Sequence, residues 1–271
     1  MDELNVQARL VPGARGWRWL SEGWTLFRAA PLSWIALVFG YWMLMTVVSV
    51  MPVVGVVAVL VLVPGFSVAF MAASRVSEHK QPVNLSLLFA GFRENLHRQL
   101  ILGAVYFACV GLLLAASMLA DDGALARWMV TGARPSTQVI QSDGFLASLM
   151  IAATLYMPVM MLFWFSPTLV AWHSMPVPKA LFFSLFACLV NWRAFTVYSF
   201  ASALVLLVAP FVLLFVMMLV SGGKLQPAAM AVLFPFVLSM MPTLFASFYA
   251  SYRDIFAPVS TADDETPPLP Q

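Results

Sequence analysis

The sequence predicts an all-α polytopic membrane protein: six transmembrane helices in one domain, with amphipathic helices lying in the cytoplasmic interface. Three observations predict it. Of 271 residues, 62% are apolar and 10% charged, with a mean hydropathy of +0.91; soluble domains carry about 25% charged residues. Five stretches, 29–74, 99–120, 144–178, 194–223 and 225–252, hold no charged side chain. Lys and Arg divide eleven against three between the two sides that such spans define. A span needs about 20 apolar residues to cross roughly 30 Å of hydrocarbon, and the basic side faces the cytoplasm.

The elements follow in chain order. The first 33 residues carry Arg9, Arg15, Arg18 and Arg28. No small-residue cleavage site follows a short apolar core, so the first apolar run is read as an uncleaved anchor. Ahead of it Trp17, Leu20, Trp24 and Phe27 recur at helical spacing, with Arg18 and Glu22 elsewhere, which predicts an interfacial amphipathic helix. The first charge-free stretch holds two spans, 34–50 and 53–74, turning at Met51-Pro52 with Gly55 close behind. In 75–98 one stripe is formed by Leu85, Leu88, Phe89, Phe92 and Leu96, with Arg93, Glu94 and Arg98 opposite. Asn84 or Ser86 could cap that helix. A span at 99–120 leads to an outer loop, 121–145, with Asp121, Asp122, Arg127, Trp128, Arg134, Pro135 and Asp143 and a short helix near 123–131. After a span at 146–172, Leu181, Leu185, Leu189 and Trp192 form a third interfacial stripe. Spans at 195–220 and 227–252, joined at Gly222-Gly223-Lys224, complete a single domain, 1–256. The Pro-rich acidic residues 257–271 read as a disordered cytoplasmic tail. Pro64, Pro158, Pro167, Pro210, Pro235 and Pro242 lie inside spans, where kinks rather than breaks are expected.

A unit of interfacial segment, span, turn and span recurs three times. Leu26-Phe27, Leu88-Phe89 and Leu185-Phe186 mark the interfacial parts. Pro64 precedes Arg75, and Pro242 precedes Arg253, by eleven residues each. The middle exit is less faithful, running from Pro167 through His173 to Lys179.

The span interiors lack ionisable residues, the usual equipment of proton relays and carboxylate chemistry. Two cysteines, Cys109 and Cys188, and three histidines leave no metal-ligand spacing and predict no disulfide. No His-Glu-x-x-His or Gly-x-Ser-x-Gly motif is present. The sequence therefore predicts no catalytic residue, no cofactor and no enzyme. A net charge of +2 is too balanced for a nucleic-acid partner. The nine tryptophans read as an interfacial belt, and His97 and His173 as boundary residues. Candidate site residues are Arg75, Arg193, Arg253 and Asp254, joined by Glu78, as a cluster binding a lipid headgroup or a protein partner. The plainer reading of these arginines is as positive-inside anchors snorkelling to headgroups. The expected role is non-enzymatic: an accessory or scaffold protein beside another membrane protein, or one contacting membrane lipids. The alternative is a small permease for a hydrophobic or amphipathic solute. That alternative expects a polar-lined cavity framed by Ser166, Thr168, Ser239 or Thr243.

Val11-Pro12-Gly13-Ala14-Arg15, Trp34 and the run Tyr249-Ala250-Ser251-Tyr252-Arg253-Asp254-Ile255-Phe256 resemble an uncharacterised proteobacterial family of six-span integral membrane proteins. The layout is also similar to the membrane domain beside some glycerophosphodiester phosphodiesterases, although this chain holds no phosphodiesterase domain. The eleven-to-three division of Lys and Arg and the even number of spans put both termini in the cytoplasm, and the resemblance implies a multi-pass protein of the bacterial inner membrane with no established activity.

Overall fold

Inside hydrocarbon every backbone N–H and C=O must find a partner within the protein, which leaves long apolar runs only the helix. A computed structural model describes residues 8–51, 54–93, 95–220 and 226–256, with backbone alone at 220 and 226–232. Among the described residues there is no strand. The helices are α1 (Arg15–Ala29), α2 (Pro31–Ser49), α3 (Val54–Glu78), α4 (Ala90–Arg93), α5 (Leu96–Asp121), α6 (Ala124–Thr131), α7 (Thr137–Ile140), α8 (Asp143–Phe163), α9 (Ser166–His173), α10 (Val177–Val190), α11 (Trp192–Ala203), α12 (Ala209–Val220) and α13 (Gln226–Phe256). A 3-10 turn at Leu85–Phe89 precedes α4, and a π-turn at Leu204–Val208 joins α11 to α12.

Six of these segments are long and apolar enough to cross a membrane: Pro31–Ser49, Val54–Glu78, Leu96–Asp121, Asp143–His173, Trp192–Leu219 and Leu233–Phe256. They match the six predicted spans, with ends differing by a few residues. The turns expected at Pro52 and at Gly222-Gly223-Lys224, and the tail 257–271, lie outside the described residues. Arg9 N donates to Ile255 O at 3.0 Å, so the segment before α1 and the end of α13 share one end of the bundle.

The prolines behave as expected with one exception. Pro64, Pro158, Pro235 and Pro242 sit inside continuous helices. Pro210 follows the π-turn, whose extra residue relieves the contact between the proline ring and the preceding turn. At Pro167 the helix breaks: α8 ends at Phe163 and α9 restarts at Ser166. Ser184 of α10 explains why a break is tolerated here. Its hydroxyl accepts from Phe165 N at 2.9 Å and donates to Met161 O at 2.7 Å. A side chain thus satisfies two of the backbone groups at the break.

One of the three amphipathic segments differs from expectation in its build, and another resolves a facing that the sequence leaves open. The second is not one helix. The 3-10 turn and α4 end before Asn95, which takes a left-handed φ of 54°, and Leu96 begins the next span. The Asn84 side chain makes no capping bond. In the third, the buried face of α10 is Val177, Ala180, Ser184, Ala187 and Cys188. The expected Leu stripe is half-buried at Leu181 and Leu185 and exposed at Leu189 and Trp192. Small side chains let helices approach closely in a membrane, where large apolar ones gain nothing by leaving lipid.

The threefold pattern takes the form of a cycle. α1 packs chiefly on α11 and α13 of the third hairpin, the 85–93 segment on α2 and α3 of the first, and α10 on α8 and α9 of the second. The Leu-Phe pairs are not equivalent within it: Phe27 is buried, Phe89 and Phe186 exposed. Buried side chains gather where α1 meets the exits of the spans. One cluster holds Trp19, Phe165, Leu169, Tyr198, Tyr249 and Ile255; a second holds Trp34, Phe66, Phe70, Leu88 and Ala246. By contrast, no residue from 202 to 219 is buried.

Asn191 fastens the segment that leads into α1. Its Oδ1 accepts from Val11 N at 2.8 Å, and its Nδ2 donates to Arg9 O at 2.9 Å and Ala187 O at 3.0 Å. Asn191→Ala should destabilise the protein by about 1–3 kcal/mol, because it strands the partly buried Val11 N–H and Arg9 carbonyl. Limited trypsin digestion should then cut after Arg9 or Arg15 faster than in the parent. Unchanged cleavage would show that the segment is held by other means.

Candidate functional site: an ionic chain at the end of the bundle

α1 reaches its seat because two of its residues lack side chains. A β-carbon on Gly16 would collide with the Ala194 carbonyl and lie 2.6 Å from Tyr198 N; one on Gly23 would collide with the Thr243 carbonyl and lie 2.8 Å from Ser247 N. The two glycines, seven apart, lie on one face of the helix and let it wedge between α11 and α13. The adjacent face then presents Arg15, Trp19 and Glu22 to the end of α13.

There the charges close on one another. Arg15 grips both oxygens of Asp254, with Nη2 2.6 Å from Oδ1. Asp254 Oδ2 also accepts from Trp19 Nε1 at 2.7 Å. Arg15 Nη2 donates to Glu22 Oε1 at 3.1 Å, and Glu22 Oε2 accepts from Arg253 Nη2 at 2.5 Å. Arg253 Nη1 pairs with Glu78 at the end of α3, and Glu78 Oε2 accepts from Tyr249 Oη at 2.6 Å. The result is an alternating chain from Trp19 through Asp254, Arg15, Glu22, Arg253 and Glu78 to Tyr249, tying α1, α3 and α13 together. The hydrogen bonds that Arg15 donates to Asp254 hold its guanidinium above its ordinary pKa, against a smaller opposing effect of burial.

Of the residues singled out in the sequence, Arg253, Asp254 and Glu78 meet in this chain. No ion pair joins Arg253 to Asp254; each is paired with an acid or base from another helix. Arg75 stands beside the chain, its guanidinium stacked over Trp172 at 5.4 Å. Arg193 lies apart at the start of α11, over Trp192 at 5.6 Å. Arg15, Glu22 and Trp19 were missed. Their partner is 239 residues away for Arg15, and the belt reading of tryptophan hid Trp19, which is fully buried. Trp34 is likewise fully buried, with Nε1 unpartnered. The Gly16–Gly23 spacing was the signal that could have placed α1 inside the bundle.

Ser166 and Thr168 are buried in helix packing, beside Gln99, whose Nε2 donates to Pro167 O at 2.7 Å. Thr243 lines a cavity of about 240 Å³ between α1, the π-turn and α13. Among the described residues, no group of three or more His, Cys, Asp or Glu could hold a metal ion. Cys109 and Cys188 are both free, and burial pushes the Cys188 thiol up to about 12.

Six apolar helices, an all-helical fold and charges confined to the span ends define an integral membrane protein that crosses the bilayer several times. The chain is 38% identical over 252 residues to the probable inner membrane protein of Burkholderia thailandensis, covering 91% of this chain and 92% of that one. It belongs to the family of that protein and is a multi-pass protein of the bacterial inner membrane. No protein-family model matches the chain, and no solved structure does. The comparisons do not show the likeness to the membrane domain beside glycerophosphodiester phosphodiesterases.

Proposed function

We propose that this is a non-enzymatic scaffold of the inner membrane that holds anionic lipid against its cytoplasmic face, with both chain ends in the cytoplasm. The eleven-to-three division of basic residues supports that orientation. One observation carries the lipid reading. The acids Glu22, Glu78 and Asp254 are all spent inside the ionic chain, while four cations outside it lie on aromatic faces and pair with no carboxylate among the described residues. These are Arg28 over Trp24, Arg75 over Trp172, Lys179 over Phe183 and Arg193 over Trp192. Cations stacked on interfacial aromatic rings suit the headgroup level of a membrane. Each basic residue near an anionic surface contributes about 1 kcal/mol.

Mild extraction followed by mass spectrometry of co-purifying lipids and proteins tests this. Phosphatidylglycerol or cardiolipin should be retained over phosphatidylethanolamine. The triple variant Arg75→Gln, Lys179→Gln, Arg193→Gln should cut that preference by about tenfold or more, taking about 1 kcal/mol per cation. A stoichiometric protein partner without lipid selectivity would instead make the protein an accessory subunit.

A further inference from the structure

The face of α1 that turns away from the ionic chain carries Trp17, Ser21, Trp24 and Arg28, spaced so that all four fall on one stripe. Opposite stand Val205 of the π-turn and Met240 and Thr243 of α13. With Leu20, the residues Trp17, Ser21, Trp24, Val205, Met240 and Thr243 line a cavity of about 240 Å³, open on one side, and Arg28 stands beside Trp24 outside the lining. Its two hydroxyls are spent within their own helices: Ser21 Oγ donates to Arg18 O at 2.9 Å and Thr243 Oγ1 to Ser239 O at 2.8 Å. The wall is otherwise hydrocarbon, thioether and indole. The nearest charged group on this stripe of α1 is a donor, Arg28. The guanidinium of Arg28 sits 5.8 Å from the Trp24 ring centroid, and neither Arg18 nor Arg28 pairs with a carboxylate among the described residues. The π-turn is the second observation at this place. Such turns are rare and concentrate at functional sites, and here the turn supplies Val205 to the cavity wall. The cavity is smaller than the roughly 300–1,000 Å³ of pockets for drug-sized ligands.

An apolar slot with a cationic donor beside it is complementary to one molecule type abundant around it. We infer that the slot is a binding site for a single anionic phospholipid, with an acyl chain lying between α1 and the π-turn and its phosphate at Arg28. This deepens the reading of the protein as a lipid-holding scaffold and rests on it. The aromatic-stacked cations at Arg75, Lys179 and Arg193 act as a general anionic surface, whereas this slot takes one chain in one place. Arg28 supplies charge selection and the slot supplies chain retention.

Full-length protein in nanodiscs containing phosphatidylglycerol with a photoreactive acyl chain tests the inference. Cross-links should concentrate in peptides containing Trp17–Trp24, Val205 and Met240. Ser21→Phe fills the slot from an exposed position whose hydroxyl bonds only its own helix. It should lower that labelling about fivefold or more, with the melting temperature unchanged. Arg28→Gln should leave chain labelling in place while reducing the preference for phosphatidylglycerol over phosphatidylcholine about fivefold. Labelling spread evenly over all lipid-facing helices, or undisturbed by Ser21→Phe, would overturn the site. So would protein–protein cross-links through Trp17 and Trp24, which would make the slot a contact between two copies. If the Arg75, Lys179 and Arg193 variant still loses anionic lipid while Ser21→Phe changes nothing, the slot fails and the scaffold reading stands. If neither set changes retention, both fail.

Discussion

A single methyl group at Gly16 or Gly23 is expected to unseat α1. In both positions the added carbon meets backbone, the Ala194 carbonyl in one case and the Thr243 carbonyl in the other, so no side chain can swing aside to make room. Overpacking of this kind costs about 1–3 kcal/mol even where neighbours can adjust. Gly16→Ala and Gly23→Ala should each reach or exceed the upper end. The double variant should fail to accumulate. Gly111 provides the control: a β-carbon there meets nothing within 4 Å, and Gly111→Ala should leave the thermal melt in detergent unchanged. A Gly16→Ala protein melting with the parent would mean that α1 is not wedged between α11 and α13.

The second large effect is expected at Asp254. Its carboxylate satisfies two groups at once, the Arg15 guanidinium and the Trp19 indole N–H. Asp254→Ala leaves a guanidinium with one remaining acid partner and a fully buried indole with none. Losses of this type, in a partly exposed setting, amount to about 2–4 kcal/mol. Asp254→Asn keeps an acceptor for Trp19 and should recover part of the loss. In Arg15→Met combined with Asp254→Ala, the cost should fall short of the summed single costs by about 1–3 kcal/mol. Strict additivity would show that the two residues are not coupled. The mutation order distinguishes this pair from its neighbour: Arg253→Gln should act through Glu22 and Glu78 and be additive with neither Glu22→Gln nor Glu78→Gln.

The spans were legible because hydrocarbon imposes its requirement residue by residue: a run without charge, such as 29–74, is sufficient. The same local character made the cluster at Arg253 and Asp254 half-legible. Their place at the exit of a span marked them as candidates, but their partners belong to α1 and α3, and nothing local says which acid meets which base. The facing of α10 stayed open for a related reason. Leu181, Leu185 and Leu189 look like a buried stripe by the rules of water, where large apolar groups seek the interior. In lipid, small residues take the interior, and Ala180, Ser184 and Ala187 are the ones found there. Pro167 misled because its break depends on a hydroxyl supplied from another helix. Asn191 escaped notice because a polar residue ahead of a span has many ordinary readings, of which fastening residues 9–11 is only one.

The cyclic packing sets an order on how this protein is made. Arg15 leaves the ribosome early, but Asp254 follows 239 residues later. At about 5–20 residues per second, the interval is on the order of ten to fifty seconds. For that time the first helix lacks its place against α13, Trp19 lacks its acceptor, and Arg15 and Glu22 have only each other. The chain inserts two complete hairpins while its first amphipathic helix waits at the membrane surface. Only when α13 arrives does a groove exist for Gly16 and Gly23, and only then can the ion pairs close. A helix synthesised ahead of the six spans thus docks after the last of them, and its docking requires α11 and α13 to be in place.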